Sequence, residues 1–151
     1  MIHVRDLMTA KVFAIRTDKN VSAVDELMRW AHIRHVPIVD ERGSLVGLIS
    51  HRDLLAASTS SIKKHIPDWD KRRNLWTVPI DEIMSRELQT IGPGETVQEA
   101  ARRMRRHKIG CLPVVEGSKL VGIITAYDLL EIVAKLTPAG FEDIAAALTA
   151  G

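Results

Sequence analysis

Apolar residues fall into two rhythms along this chain, and the order of the rhythms occurs twice. Val21, Val24 and Met28 stand at i, i+3 and i+7 with polar residues between them, and Val97, Ala100 and Met104 repeat the pattern. That spacing places each set on one face of a helix. Asn20 stands at the N-cap of the first helix, and Thr96 with Glu99 has capping-box spacing at the second. Two short apolar runs follow each helix: Val36–Val39 with Leu45–Ile49, and Leu112–Val115 with Leu120–Ile124. The polar, Gly-containing stretches between the runs predict β-hairpins. A shorter run before each helix, Val12–Ile15 and Leu88–Ile91, reads as a strand. A last helix is predicted after Ser50 and after Thr125, carrying Leu54-Leu55 and Leu129-Leu130 inward.

The two halves align residue by residue. Met8 matches Met84, Ile15 matches Ile91, Val21 matches Val97, Met28 matches Met104 and Pro37 matches Pro113, always 76 apart. After a one-residue deletion in the hairpin loop, Gly47 matches Gly122 and Asp53 matches Asp128 at a spacing of 75. The fold class is therefore α+β, two β-α-β-β-α repeats. A unit of about fifty residues buries too little surface to stand alone comfortably, so the copies are expected to pack on each other. The organisation reads as a first repeat over residues 1–58, a polar linker over 59–78, a second repeat over 79–136 and a C-terminal tail over 137–151 forming a short helix. The linker holds Trp69 and Trp76, either as indoles laid on the domain surface or as a contact for a partner.

Composition narrows the function. Of 151 residues, 46% are hydrophobic and 26% charged, as expected for a soluble globular chain. No run approaches the roughly 20 apolar residues of a membrane span, and the N-terminus has no secretory pattern. Cys111 is the one cysteine, so no internal disulfide framework exists and a cytoplasmic setting is expected. The net charge of +2 is too small to argue for nucleic acid by itself.

The most informative segments are Gly47–Asp53 and Gly122–Asp128, both Gly-apolar-apolar-Ser/Thr-x-x-Asp at a strand-to-helix junction. Ser or Thr at an N-cap with an acid three residues on is a capping-box variant that needs no ligand. The same geometry suits a nucleotide. A helix N-terminus receives phosphate, the hydroxyl adds a donor, and a carboxylate one turn on can accept both hydroxyls of a ribose. Glycine ahead of the box would let the backbone approach closely.

The tandem arrangement resembles the cystathionine-β-synthase (CBS) domain pair, or Bateman module, across roughly residues 3–136. The resemblance rests on Val36-Pro37-Ile38-Val39 and Leu112-Pro113-Val114-Val115, on Leu-Val-Gly at 45–47 and 120–122, and on both Ser/Thr-x-x-Asp boxes, in that order in each copy. It implies a pseudo-twofold pair with two clefts between the repeats that bind adenosine nucleotides or related adenosyl ligands. It also implies a homodimer, and a regulatory role that signals to an effector protein rather than catalysis. Carried over, Asp53 and Asp128 would hold ribose, and Ser50, Thr125, Arg34 and Arg52 would meet phosphate. The adenine of one ligand would lie against Leu88, Gln89, Ile109 and Pro113, that of the other against Val12, Phe13, Ile33 and Pro37. Strand backbone at Phe13 or Gln89 would read the base. No cofactor is required; the regulatory ligand is expected to be AMP, ADP or ATP, with S-adenosylmethionine and NAD left open by the shared adenosine. The copies are not equivalent: Arg34 and Arg52 of the first face Gly110 and Tyr127 of the second.

Rival readings are weaker. The basic run Arg102–Lys108 surrounds the apolar Met104 and reads as a solvated helix face; nothing aromatic interleaves with it, so nucleic acid is not expected as a partner. Cys111 precedes a buried strand and reads as a packed or cleft-lining thiol. His32 and His35 have no carboxylate at a metal-motif spacing, so no metal site is expected, nor does any catalytic constellation appear. Besides the ligand sensor, a structural dimerisation module with empty clefts accounts for the same boxes as caps.

Overall fold

The structure is a computed structural model that describes residues 1–60 and 78–150. Trp69 and Trp76 lie outside the described residues. The first repeat comprises α1 (Val4–Leu7), β1 (Ile15–Arg16), α2 (Val21–Ala31), β2 (His35–Val39), β3 (Leu45–Ser50) and α3 (His51–Ser60). The second opens with a 3₁₀ turn (Ile80–Glu82) and continues through α4 (Val97–His107), β4 (Cys111–Glu116), β5 (Lys119–Thr125) and α5 (Ala126–Ala134). A tail helix, α6 (Pro138–Thr149), is capped by the Thr137 hydroxyl accepting from Gly140 N–H.

Local chemistry repeats with the sequence. Asn20 accepts from Ala23 N–H at 3.3 Å and Thr96 from Glu99 N–H at 3.1 Å. The Glu99 carboxylate takes the Arg103 Nε–H at 3.0 Å, joining an ion-paired group with Glu95. Both helices end on a non-glycine residue in left-handed backbone, His32 and Lys108, each at φ 54°. The next residue's N–H, of Ile33 or Ile109, returns to the Met28 or Met104 carbonyl, closing the helix end. β2 pairs antiparallel with β3, and β4 with β5. Each hairpin carries a register shift at the same place, between Ile38 and Val39 and between Val114 and Val115.

The leading strands are shorter than their patterns predict. β1 holds two residues, parallel to β2 through Ile15 opposite Ile38, and the second copy is reduced to a single bridge, Ile91 to Val114. Residues 12–14 and 88–90 lie outside the sheets.

The two cores are built by exchange. The first cluster joins Val21, Val24, Met28, Val36, Ile38, Ile49 and Leu54 with Ile80 and Met84 from the start of the second repeat. The second joins Ile91, Val97, Ala100, Met104, Leu112, Val114 and Ile124 with Val4 from the start of the first, and Leu7 and Met8 pack on it. Backbone bridges fix the exchange: Leu48 and Ser85 trade N–H···O bonds of 3.0 and 2.9 Å, and Thr9 and Ile123 trade 2.9 and 3.0 Å. The glycines of the motif have their reason here. A Cβ at Gly47 would come within 2.5 Å of Met84 Sδ, and one at Gly122 would collide with Met8 Sδ. The close approach these glycines permit is that of a methionine from the opposite repeat.

The Leu-Leu pairs divide rather than both turning inward. Leu54 is buried and Leu129 packs at the core margin, whereas Leu55 and Leu130 are 52% and 59% exposed. Adjacent helical residues point about 100° apart, so a one-sided helix buries only one of them.

Candidate ligand clefts

Two clefts open between the repeats, each built from both. The Ser50 cleft, about 600 Å³, sets Ser50, Arg52 and Asp53 of β3 and α3 against Leu88, Gln89 and Ile109 of the second repeat. The Thr125 cleft, about 660 Å³, sets Thr125, Tyr127 and Asp128 of β5 and α5 against Val12, Phe13 and Ile33 of the first. Volumes of this size suit a small organic ligand. Leu88 and Val12 are half-buried and Gln89 and Phe13 exposed, on irregular backbone just ahead of β1 and Ile91. The expectation that strand backbone lines the clefts at Phe13 and Gln89 is corrected accordingly: both residues line them, from loops.

The two prolines also differ from expectation. Pro37 and Pro113 are buried in β2 and β4, opposite Leu48 and Ile123, and neither is among the cleft-lining residues. Proline lacks an N–H, and each stands between two core residues of its strand, Val36 and Ile38 or Leu112 and Val114, so its ring lies on the other face of the hairpin, buried but off that core cluster. The Pro113 carbonyl accepts from Ile91 N–H at 3.1 Å.

At each cleft the acid is held by the box. Asp53 Oδ2 accepts from Ser50 N–H at 2.6 Å and from the Ser50 hydroxyl at 2.7 Å, while the Ser50 hydroxyl oxygen accepts from Asp53 N–H at 3.2 Å. Asp128 Oδ2 accepts from Thr125 N–H at 2.6 Å and from the Thr125 hydroxyl at 2.9 Å. Both acids thus cap their helices, and both are half-buried. Oδ1 takes part in none of these bonds. With Oδ1 outside the cap, the two readings of the box do not compete for one atom.

The residues between the clefts break the symmetry. Arg34 lines both clefts, as does His35, and their counterparts are Gly110 and Cys111. Burial lowers the His35 pKa, outweighing the nearby Asp53 carboxylate, which acts in the opposite sense, and the Arg34 charge lowers it further. Cys111 is buried, and burial, with Asp128 nearby, pushes its thiol up to about 12. Burial thus disfavours the thiolate, and Cys111, expected as a packed or cleft-lining thiol, is buried at the margin of the Ser50 cleft. Sequence reasoning did not assign His35, His51 or Lys108 to the Ser50 cleft, which all three line, nor Lys11 and His32 to the Thr125 cleft. The left-handed caps at His32 and Lys108 were the missed signal, since they turn the chain into the cleft just before Ile33 and Ile109. Among the described residues no cluster of His, Cys, Asp and Glu could hold a metal ion, and no helix is long and apolar enough to cross a membrane.

Comparison with known proteins gives this architecture its relatives. The family model described as CBS domain matches residues 4–60 and again 80–135. A CBS domain-containing protein of Dictyostelium discoideum is 31% identical over 134 residues, spanning 88% of this chain and 92% of that protein. The chain also aligns at 33% identity with a homoserine O-acetyltransferase of Methanococcoides burtonii, of which it spans only 24%. Among solved structures, the CBS domain pair of protein MJ0100 in complex with 5′-methylthioadenosine and S-adenosyl-L-methionine superposes with a TM-score of 0.73 at 27% identity, covering 89% of this chain and 97% of that one. The CBS domain of a CBS domain-containing membrane protein from Sphaerobacter thermophilus gives 0.72 at 32% identity, covering 87% of each. With two matched repeats, two exchanged cores and a cleft at each box, the chain belongs to the CBS domain family.

Proposed function

We propose that this chain is a regulatory, non-catalytic module of the cytoplasm that binds adenosine nucleotides (AMP, ADP or ATP) or related adenosyl ligands between its repeats. Binding would signal to an effector protein by changing how the repeats sit together. One observation carries the reading: each cleft sets a helix N-terminus, a hydroxyl and a half-buried carboxylate from one repeat against an apolar wall from the other. That is the complement of a phosphate or other 5′ group, a ribose diol and a base, in order. The ligands bound by MJ0100 support the adenosyl class. A ligand spanning both repeats has different contacts in each arrangement of them, which is what a conformational signal requires. Homodimerisation belongs to the proposal, and Leu55, Leu130, Val133, Phe141 and Ile144, all exposed, supply apolar surface for it.

A second reading has its own observation. The boxes close on themselves without a ligand, so a structural dimerisation module with empty clefts is consistent with the same caps. Melting with a panel of adenosyl ligands separates the two. A ligand at about 100 times its Kd adds roughly 2.7 kcal/mol, a rise of several degrees at this size. The sensor reading expects such a rise with at least one ligand, removed by Asp53→Ala or Asp128→Ala. The structural reading expects no rise at millimolar concentrations, with each substitution lowering only the ligand-free melting temperature.

A further inference from the structure

We propose that the two clefts take different members of the adenosyl class: the Ser50 cleft a ligand with a 5′-polyphosphate, the Thr125 cleft one whose 5′ group is uncharged. This rests on the adenosyl reading above and goes beyond it by assigning the 5′ chemistry cleft by cleft. Because the repeats align residue by residue, each cleft is a control for the other.

At the start of α3 stand His51 and Arg52; at the start of α5 stand Ala126 and Tyr127. The left-handed cap that turns into the Ser50 cleft is Lys108, and the one that turns into the Thr125 cleft is His32. The Ser50 cleft therefore holds Arg52 at the end of a helix whose dipole already favours an anion, with Arg34 lining the same cleft and Lys108 entering it ahead of Ile109. Guanidinium groups give charge-assisted, bidentate contacts to phosphate oxygens, which a tyrosine cannot. In the Thr125 cleft Tyr127 stands in the place of Arg52, Ala126 in that of His51 and His32 in that of Lys108. Phe13 stands there in place of Gln89, its ring packed edge-on against Trp30 with centroids 5.7 Å apart. Tyr127, on the helix that would face the 5′ group, gains by covering an apolar 5′ substituent, and burying a polyphosphate there without paired cations carries a desolvation cost.

Two residues run against the simple pattern and bound it. Glu87 lines the Ser50 cleft and Lys11 the Thr125 cleft, at matching positions. Both enter directly before the wall that would face the base, Leu88-Gln89 or Val12-Phe13, rather than from the helix that would face the 5′ group. Arg34 lines both clefts and has only Gly110 as its counterpart, so its one guanidinium cannot serve two anions fully. With Arg34 on a polyphosphate in the Ser50 cleft, the Thr125 cleft keeps Lys11 as its remaining permanent cation among the lining residues.

Isothermal titration of the full chain with ATP and with 5′-methylthioadenosine tests the assignment. Arg52→Ala is expected to weaken ATP about tenfold or more, while Tyr127→Ala changes ATP less than about twofold. For 5′-methylthioadenosine the order reverses, with several-fold weakening by Tyr127→Ala. Both side chains are exposed, and circular dichroism verifies that each variant is folded. The paired exchange Arg52→Tyr with Tyr127→Arg should make ATP binding sensitive to Asp128→Asn instead of Asp53→Asn. The assignment is overturned by equal losses of both ligands in either single variant, or by ATP binding that depends on Lys11 and Asp128 in the unmodified chain. If neither ligand binds the unmodified chain, the present inference falls and the melting panel decides the adenosyl reading; if both bind without preference for a cleft, only the present inference falls.

Discussion

The two repeats agree where the backbone turns and differ where the clefts open. Hairpin irregularities, left-handed helix ends, the glycine that admits a methionine, and the Ser/Thr-x-x-Asp caps recur in both copies. Arg34 against Gly110, His35 against Cys111, Arg52 against Tyr127 and Phe13 against Gln89 all line a cleft. Duplication has kept one scaffold twice; core positions vary too, as at Val24 against Ala100 and Val36 against Leu112, but stay apolar, whereas the cleft positions change in charge and polarity. Differences in a duplicated chain thus point to its working surface without any other sequence for comparison.

The strongest way to break this comparison is at the exchanged methionines. Gly47→Ala and Gly122→Ala should each destabilise by about 1–3 kcal/mol in urea unfolding, because the new Cβ must displace Met84 or Met8. Combined with Met84→Ala or Met8→Ala, each double variant should lose less than the sum of its single losses. Additive losses would mean that the two sites do not touch in solution. Next come the caps. Without ligand, Asp53→Ala and Asp128→Ala should each cost about 1 kcal/mol, and a clear inequality would show that the two boxes are less alike than their hydrogen bonds.

The smallest effects sharpen the comparison through pH, at one aligned position. His35 is half-buried with its pKa lowered, so the folded chain binds fewer protons there than the unfolded one. Its contribution is present above the ordinary imidazole pKa, roughly 6.5, and is lost as pH falls below it. Cys111 has the opposite sense: its contribution is present below the ordinary thiol pKa and is lost as pH rises toward about 12. In stability measured against pH, His35→Asn should flatten the acid limb and Cys111→Ala the alkaline limb. The Cys111 thiol should also resist a disulfide reagent until urea unfolds the chain.

Much of this molecule was legible in its sequence, for identifiable reasons. Helix faces, hairpins and N-caps are written locally, in the spacing of Val21, Val24 and Met28 or in Asn20 and Thr96, and the duplication wrote each of them twice. Membership of the family was legible because its motifs recur in order. The exchange of leading segments was not. Met8 and Met84 read as apolar residues whichever core receives them, and no local pattern records which one does. The same holds for Leu55 and Leu130, whose neighbours satisfy the core first, and for Pro37 and Pro113, which are buried in the right strands yet off the cleft lining. The cleft residues His35, His51 and Lys108 escaped because charged and polar residues at the ends of helices and strands usually mean only solvent.

The crossed methionines have one more consequence. A chain cut between the repeats would not release two finished domains. The first fragment would lack Ile80 and Met84 in its core, and the second would lack Val4 and Met8. Each half would carry a vacancy shaped for a segment of the other, so the halves should recover structure on mixing, as complementing fragments. A single repeat expressed alone would have to find a second copy of itself to fill that vacancy.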